Sequence, residues 1–347
     1  MKRVSFSFFV FLLLYINNAT AQKNNYKFYK GSIGNNEIEM HLYTEGKALS
    51  GFYYYAKTQD PIPFSGLLYP KDKTKTLRLT ATLSDNSTEF FVLTLRQDSL
   101  TGKWNRDKKT LVVQVLEDTA VTRLYQYVCV NGYKNIKPQS NGITTISYQT
   151  STIWPAKNNN DALQILIGNE LGFKNNVDNI NNELLKQKNT ILSQKLTEEY
   201  ITYGLSNTIQ IAYSNSKLMV LRYENYVNTG GIHGETGNTY LVFDNINKRK
   251  ITLSELIDTA DNAWSKILEN QYRVVNKIAK AALLSETLLV DTIPISNNFY
   301  ITTKHIVFCY LPYEIGAYAM GNILIKIPIE TIKDKLKPAA SFFYSLN

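Results

Sequence analysis

From Tyr26 to about Glu117 the chain alternates polar and apolar residues in short runs and shows no stretch with the 3.6-residue period of a helix. The segment Glu37-Ile38-Glu39-Met40-His41-Leu42-Tyr43 is the strictest example, with Ile38, Met40 and Leu42 on one face. A chain of this grammar buries every second residue of each strand, so its strands must close on themselves or pack in pairs. Glu45-Gly46-Lys47 reads as a turn, and Leu49 to Tyr55 as the returning strand. Further strands are expected at 65–69, 76–83, 88–96 and 110–117, with Pro61, Pro63, Asn86 and Gly102 marking the breaks. The expectation is an antiparallel barrel or sandwich within an all-β unit at 22–130. His41 falls opposite the apolar face and is expected in solvent. Phe52-Tyr53-Tyr54-Tyr55 puts aromatics on both faces of one strand. One face enters the core, and the other must be covered by further structure or left free to stack on a sugar or protein.

The second half is written differently. Asn131-Gly132, Pro138 and Asn141-Gly142 mark a linker at 131–142, and residues 143–347 mix helices with strands. Strands are expected at 143–153, 207–213, 216–226, 239–243, 299–311 and 322–329. Helices are expected from Asn159 and Asp161 to about Gly172, within 178–203, and briefly at 330–337. Thr252-Leu253-Ser254-Glu255 is a capping box, followed by Trp264, Ile267, Leu268, Tyr272, Val275 and Ile278 at helical steps. The fold class is α+β: a β barrel or sandwich followed by a sheet-and-helix domain.

The first residues read as an export signal. Lys2 and Arg3 precede an apolar run from Val4 to Ile16, too short to span a bilayer, and Ala19-Thr20-Ala21 forms a small-x-small site cut after Ala21. No lipobox cysteine is present, and no later stretch approaches a membrane span. The mature chain is therefore expected in the periplasm or secreted. Residues 22–142 hold 17 Lys+Arg against 11 Asp+Glu, whereas 143–347 hold 19 against 18. The basic first half suits solubility or an anionic partner, such as peptidoglycan or another anionic envelope polymer or an acidic protein; export and the lack of a recognisable module argue against nucleic acid. With 44% hydrophobic and 19% charged residues the chain is globular, and its 2 cysteines, Cys129 and Cys309, cannot build a disulfide framework.

Two segments concentrate unusual chemistry. Thr229-Gly230-Gly231-Ile232-His233-Gly234-Glu235-Thr236-Gly237 packs four glycines into a short stretch without the lysine of a phosphate loop. It reads either as a tight loop between strands or as a binding loop held on a rigid scaffold. His233 and Glu235 are poorly placed to share a metal, since the chain has 3 histidines and no neighbouring ligand spacing. No metal or cofactor is expected. Leu311-Pro312-Tyr313-Glu314-Ile315-Gly316-Ala317-Tyr318 joins two apolar strands while carrying two tyrosines and a carboxylate. Tyrosine suits a recognition surface and equally suits packing over a sheet end. No nucleophile elbow or zinc-peptidase motif occurs.

Taken in order, the 229–237 block, Tyr240-x-x-Phe-Asp, Ile251-Thr-Leu-Ser-Glu-Leu, and Tyr313-Glu-Ile-x-x-Tyr-x-x-Gly before Ile327-Pro328 resemble a secreted bacterial domain of unknown function. That domain is similar to the extracellular, lysozyme-binding part of RsiV-type anti-sigma factors and is appended to some peptidoglycan deacetylases. The resemblance covers about 143–337; residues 26–117 more loosely resemble the small β domain that precedes it. It implies an envelope binding protein for lysozyme or cell-wall glycan, contacting through Gly230, Gly231, His233, Gly234, Glu235, Tyr313, Glu314 and Tyr318. The chain lacks the cytoplasmic segment and membrane helix of an anti-sigma factor, and also lacks a deacetylase domain. Two other classes stay open: an envelope hydrolase pairing His233 with Glu235 or Glu314, and a structural envelope protein.

Overall fold

Eight strands close the first half into an antiparallel barrel: β1 (Asn25–Ile33), β2 (Asn36–Glu45), β3 (Ala48–Tyr55), β4 (Ile62–Lys71), β5 (Thr74–Thr82), β6 (Thr88–Arg96), β7 (Ser99–Arg106) and β8 (Lys109–Glu117), with β8 returning to pair with β1. The computed structural model describes residues 25–71, 74–83, 87–136, 144–156, 160–173, 177–194, 202–230 and 234–340. The expected export segment at 1–21 and the 137–142 part of the expected linker lie outside them.

The alternation is obeyed inside the barrel. Met40, Leu42, Tyr53, Leu79, Phe91, Leu93 and Leu100 point inward and form one cluster. A carboxylate also lies there. Glu89 is buried, accepts hydrogen bonds from Trp104 Nε1 at 3.0 Å and from the Tyr53 hydroxyl, and stands 3.7 Å from Arg106. Those partners replace the hydration that burial removes.

The second half is built on a six-stranded sheet, in the order β14-β13-β12-β11-β10-β9. Its strands are β9 (Tyr125–Ile136), β10 (Thr144–Pro155), β11 (Tyr203–Ser214), β12 (Leu218–Thr229), β13 (Glu235–Asp244) and β14 (Arg249–Ile251). Only β10 and β11 run parallel, and the crossover this requires holds two helices. The short turn α1 (Thr119–Thr122) leads into β9; the crossover helices are α2 (Asp161–Glu170) and α3 (Ile180–Leu192). Asn160 and Asn179 cap them, accepting from Leu163 N and Asn182 N at 3.1 Å each. Asn159, the expected cap, lies outside the described residues. The capping box forms as expected at α4 (Leu253–Leu256). Helix α5 (Ala263–Asn276) buries Trp264, Leu268 and Tyr272 and ends at Lys277 in the left-handed region. Val275, within the expected stripe, is exposed, while Ile278 beyond the helix end packs against the core. A three-stranded sheet of β15 (Phe299–Ile301), β16 (His305–Tyr310) and β17 (Ile323–Pro328) completes the core.

Several expectations are corrected. Residues 131–136, read as linker, form the distal half of β9, paired with β10 from Asn131 opposite Gln149 to Ile136 opposite Thr144. β9 therefore belongs to the second sheet. The expected strand at 299–311 is a hairpin, because the Thr302 hydroxyl accepts from the N–H groups of Lys304 and His305 and reverses the chain. Residues 329–335 form separate 3₁₀ turns instead of a short helix. His41 is fully buried. Its side of the strand is polar by sequence, but the second half covers it.

That cover is extensive. Tyr26, Phe28, Tyr43, Phe52 and Tyr54 on the barrel's outer wall belong to the same apolar cluster as Tyr127, Ile211, Tyr213 and the core of the second sheet. The His41 ring stacks on Phe52 with centroids 4.3 Å apart, and its Nδ1 lies 3.0 Å from the Tyr26 hydroxyl. The Tyr43 hydroxyl accepts from the Ile211 N–H at 2.9 Å, where β11 bulges before Tyr213. Gln210 Nε2 donates to Ser50 Oγ at 2.9 Å, and the Tyr54 hydroxyl donates to the Ser214 carbonyl at 3.2 Å. The second face of the 52–55 aromatic run is thus covered, and the barrel's outer wall joins the apolar cluster of the second unit while the barrel interior forms its own.

Candidate functional site

The 229–237 loop joins β12 to β13, and the 311–321 segment joins β16 to β17. Asn298 fixes the two sheets together at this end: its Nδ2 donates to the Asn238 carbonyl at 2.7 Å, and its Oδ1 accepts from the Tyr240 N–H at 2.9 Å. Against that support the two loops meet. The Tyr318 hydroxyl donates to the Gly234 carbonyl at 3.0 Å, across 84 residues of sequence.

Gly234 is required by this packing. A Cβ there would stand 2.4 Å from the Tyr226 ring, so any side chain would push the tyrosine away. Upstream, the Asn228 side chain accepts from the Gly230 N–H at 2.8 Å and holds Gly230 at positive φ. Gly231 and His233 lie outside the described residues. Glu235 opens β13 opposite Val227 and is exposed.

The second loop displays its first tyrosine. Tyr313 has φ of +72°, an uncommon conformation for a bulky residue, and is 63% exposed. It is held there by its N–H donating to the Gly316 carbonyl at 2.9 Å. The Glu314 carboxylate accepts from the Leu311 N–H at 2.7 Å and closes the same turn. The Tyr313 and Tyr318 rings lie 5.7 Å apart at 33°. One tyrosine is therefore anchored to the glycine loop while its neighbour is presented outward. Ile315 beneath them is fully buried and ties the loop to the core.

Chemically the arrangement brings together aromatic faces with hydroxyl tips and nearby carboxylates, groups suited to recognition as well as to packing. Of the residues expected at the site, the structure brings Gly234, Tyr313, Glu314 and Tyr318 into the two meeting loops, and it adds Tyr226 and Asn298, which the sequence reading did not single out. Tyr226 lies within β12, and Asn298 sits in a loop whose partner strand lies 58 residues away, so neither carried a local signal. His41 and His305 lie elsewhere. His305 Nδ1 stands 2.9 Å from Asp60 Oδ1, with Lys326 at 3.4 Å from the same oxygen, joining barrel to small sheet. Cys129 and Cys309 are free, and burial pushes both thiols up to about 12. Among the described residues, no three His, Cys, Asp or Glu side chains converge as a metal site, and no helix is long and apolar enough to cross a membrane.

The architecture is that of a barrel joined to a mixed sheet whose loops present tyrosines at one end. Residues 251–330 match the family described as "Protein of unknown function (DUF3298)". The match includes the Tyr313–Tyr318 loop and stops short of the glycine loop. A member of that family from Bacteroides fragilis has a similar solved structure, with a TM-score of 0.55 and 22% identity over 64% of this chain and 98% of that one. Its likeness shows a common fold that extends beyond residues 251–330. A DUF3298 family protein from Pseudomonas aeruginosa gives a TM-score of 0.47 and 15% identity over 62% of this chain and 95% of that one. No curated protein matches the chain.

Proposed function

We propose that this is an exported cell-envelope binding protein, non-enzymatic, whose second unit grips a partner through the 229–237 and 312–321 loops. The observation that carries the reading is the Tyr318–Gly234 hydrogen bond, which brings two loops distant in sequence onto one surface with Tyr313 turned outward. Tyrosines held rigidly lose little conformational entropy on binding and serve as anchors. Exposed Glu235 and Glu314 lend the surface acidic character, which suits a basic partner. Lysozyme, the partner implied by the resemblance to RsiV-type domains, is the first candidate, and cell-wall glycan stacking on the same rings is the second.

The test is a calorimetric titration of residues 22–347 with lysozyme at physiological salt, repeated with peptidoglycan fragments. Saturable heat with either ligand, reduced at least about tenfold in affinity by Tyr313→Ala with Tyr318→Ala, is the expected result. Binding that the double substitution leaves unchanged refutes the loop assignment, and no heat with either ligand refutes the proposed partners.

A further inference from the structure

The barrel's outer wall has two sides. Outward positions of β1–β3 meet the six-stranded sheet, and those of β4–β8 meet solvent. On the solvent side the register aligns Leu67, Arg78, Val92, Lys103 and Val112 in one row across five strands. Phe90, Val92 and Val112 are 50%, 46% and 58% exposed. The Arg78 guanidinium stands 5.2 Å from the centre of the exposed Tyr69 ring. Apolar and cationic side chains thus interleave at the strand spacing of roughly 4.8 Å.

Among the described residues, the same wall lacks acid: in β4–β8 neither Asp nor Glu occupies an outward position. Glu89 points into the barrel, Asp98 and Asp107 lie in hairpin turns, and Glu117 ends β8 paired with Lys27. The barrel's outward carboxylates, Glu37, Glu39 and Glu45, are on β2. Glu39 and Glu45 accept from the Tyr54 and Tyr127 hydroxyls at the covered side.

We infer that the β4–β8 wall is a docking surface for an anionic lipid bilayer. Its cations suit lipid phosphates, while Phe90, Val92 and Val112 reach the boundary between headgroups and acyl chains. A partner for interleaved charges and apolar groups must offer anionic and apolar character at the same depth everywhere along the wall. The headgroup region of a bilayer does this without a matching sequence. A soluble polyanion satisfies the cations but leaves the apolar side chains in water. A second copy of the same wall sets cation against cation.

The test is co-sedimentation of residues 22–347 with vesicles of phosphatidylglycerol and phosphatidylethanolamine, and with phosphatidylcholine vesicles as the neutral control. Three proteins are compared: the natural sequence, R78E with K103E, and F90S with V112S. All four positions are exposed, and unchanged circular dichroism confirms that each variant is folded. Binding is expected to anionic vesicles only, to weaken with salt, and to fall at least about tenfold on charge reversal and severalfold on removal of the apolar pair. Failure to sediment with anionic vesicles at low salt overturns the inference. So does binding that resists both variants. Retention on heparin that matches vesicle binding and ignores F90S with V112S assigns the wall to a polyanion instead. A dimer in sedimentation velocity that R78E with K103E dissociates assigns it to self-association.

Discussion

The two sides of the barrel wall follow one rule inward and opposite rules outward. Inward, β1–β3 and β4–β8 alike supply mainly apolar residues, with Glu89 the buried carboxylate among them. Outward, β1–β3 carry Tyr26, Phe28, His41, Tyr43, Phe52 and Tyr54, which are buried against the second unit, and Glu39 and Glu45 receive tyrosine hydroxyls there. Among the described residues, the outward positions of β4–β8 carry no carboxylate and are exposed or half-exposed. Both sides are rich in apolar atoms, so hydrophobicity alone does not distinguish a buried interface from an open one. The difference lies in polar satisfaction. On the covered side hydroxyls, amides and carboxylates find partners across the junction, whereas the open side's Arg78 and Lys103 face outward beside apolar neighbours.

The sharpest way to break this comparison is to truncate one phenylalanine on each side. Phe52→Ala, at the covered junction, is expected to lower unfolding stability by about 3–4 kcal/mol, seen as a drop in the guanidinium midpoint. A loss as small as that of an exposed site would mean the junction is not packed.

His41 gives the next largest effect. Burial lowers its folded value from 6.5 to about 3, so the unfolded chain takes up the proton first. Stability is therefore full above about pH 6.5 and declines as pH falls toward 3, by roughly 2 kcal/mol between pH 6.5 and 5. Urea titrations of His41→Phe at several pH values should remove that slope. A slope equal to that of the natural sequence would place the imidazole in water.

Tyr43→Phe leaves the Ile211 N–H at the β11 bulge without its acceptor and should cost about 1–2 kcal/mol, with faster hydrogen exchange at Ile211. Tyr318→Phe releases the glycine loop from the tyrosine loop, at a cost of about 1 kcal/mol, and should weaken any partner bound there. An unchanged thermal midpoint together with unchanged partner affinity would show that the two loops act separately. Smallest of all, Phe90→Ala on the open side is expected to move stability by no more than about 0.5 kcal/mol.

Much of the fold was legible locally. Six of the eight barrel strands followed from period-two alternation, the capping box at 252–255 from its own spacing, α2 from its capping residues, and α3 and α5 from periodic apolar residues; β1 and β7 were not read as strands, and Gly102, read as a break, pairs with Leu93 inside β7. The errors have a common source. Residues 131–136 look like a linker because Asn131-Gly132 is a frequent turn signal, yet pairing with β10 overrides that local preference. Thr302 reverses the chain at the polar stretch Thr302-Thr303-Lys304-His305 between two apolar segments, through hydroxyl contacts that composition does not reveal. At the candidate site, the glycines and tyrosines were visible as outliers. The meeting of their loops was not, because it depends on how β13 and the small sheet are joined through Asn298.

By itself, the sequence determined which residues could share a face, where the chain had to turn, and that two grammars divide it. Those are consequences of backbone period and of steric limits within a few residues. Only the tertiary structure decided which outward faces are covered, that His41 is buried and Tyr313 is not, and that two loops separated by 84 residues touch. Burial of that kind is set by contacts between distant segments, whose energies depend on the docked surfaces and on no local pattern.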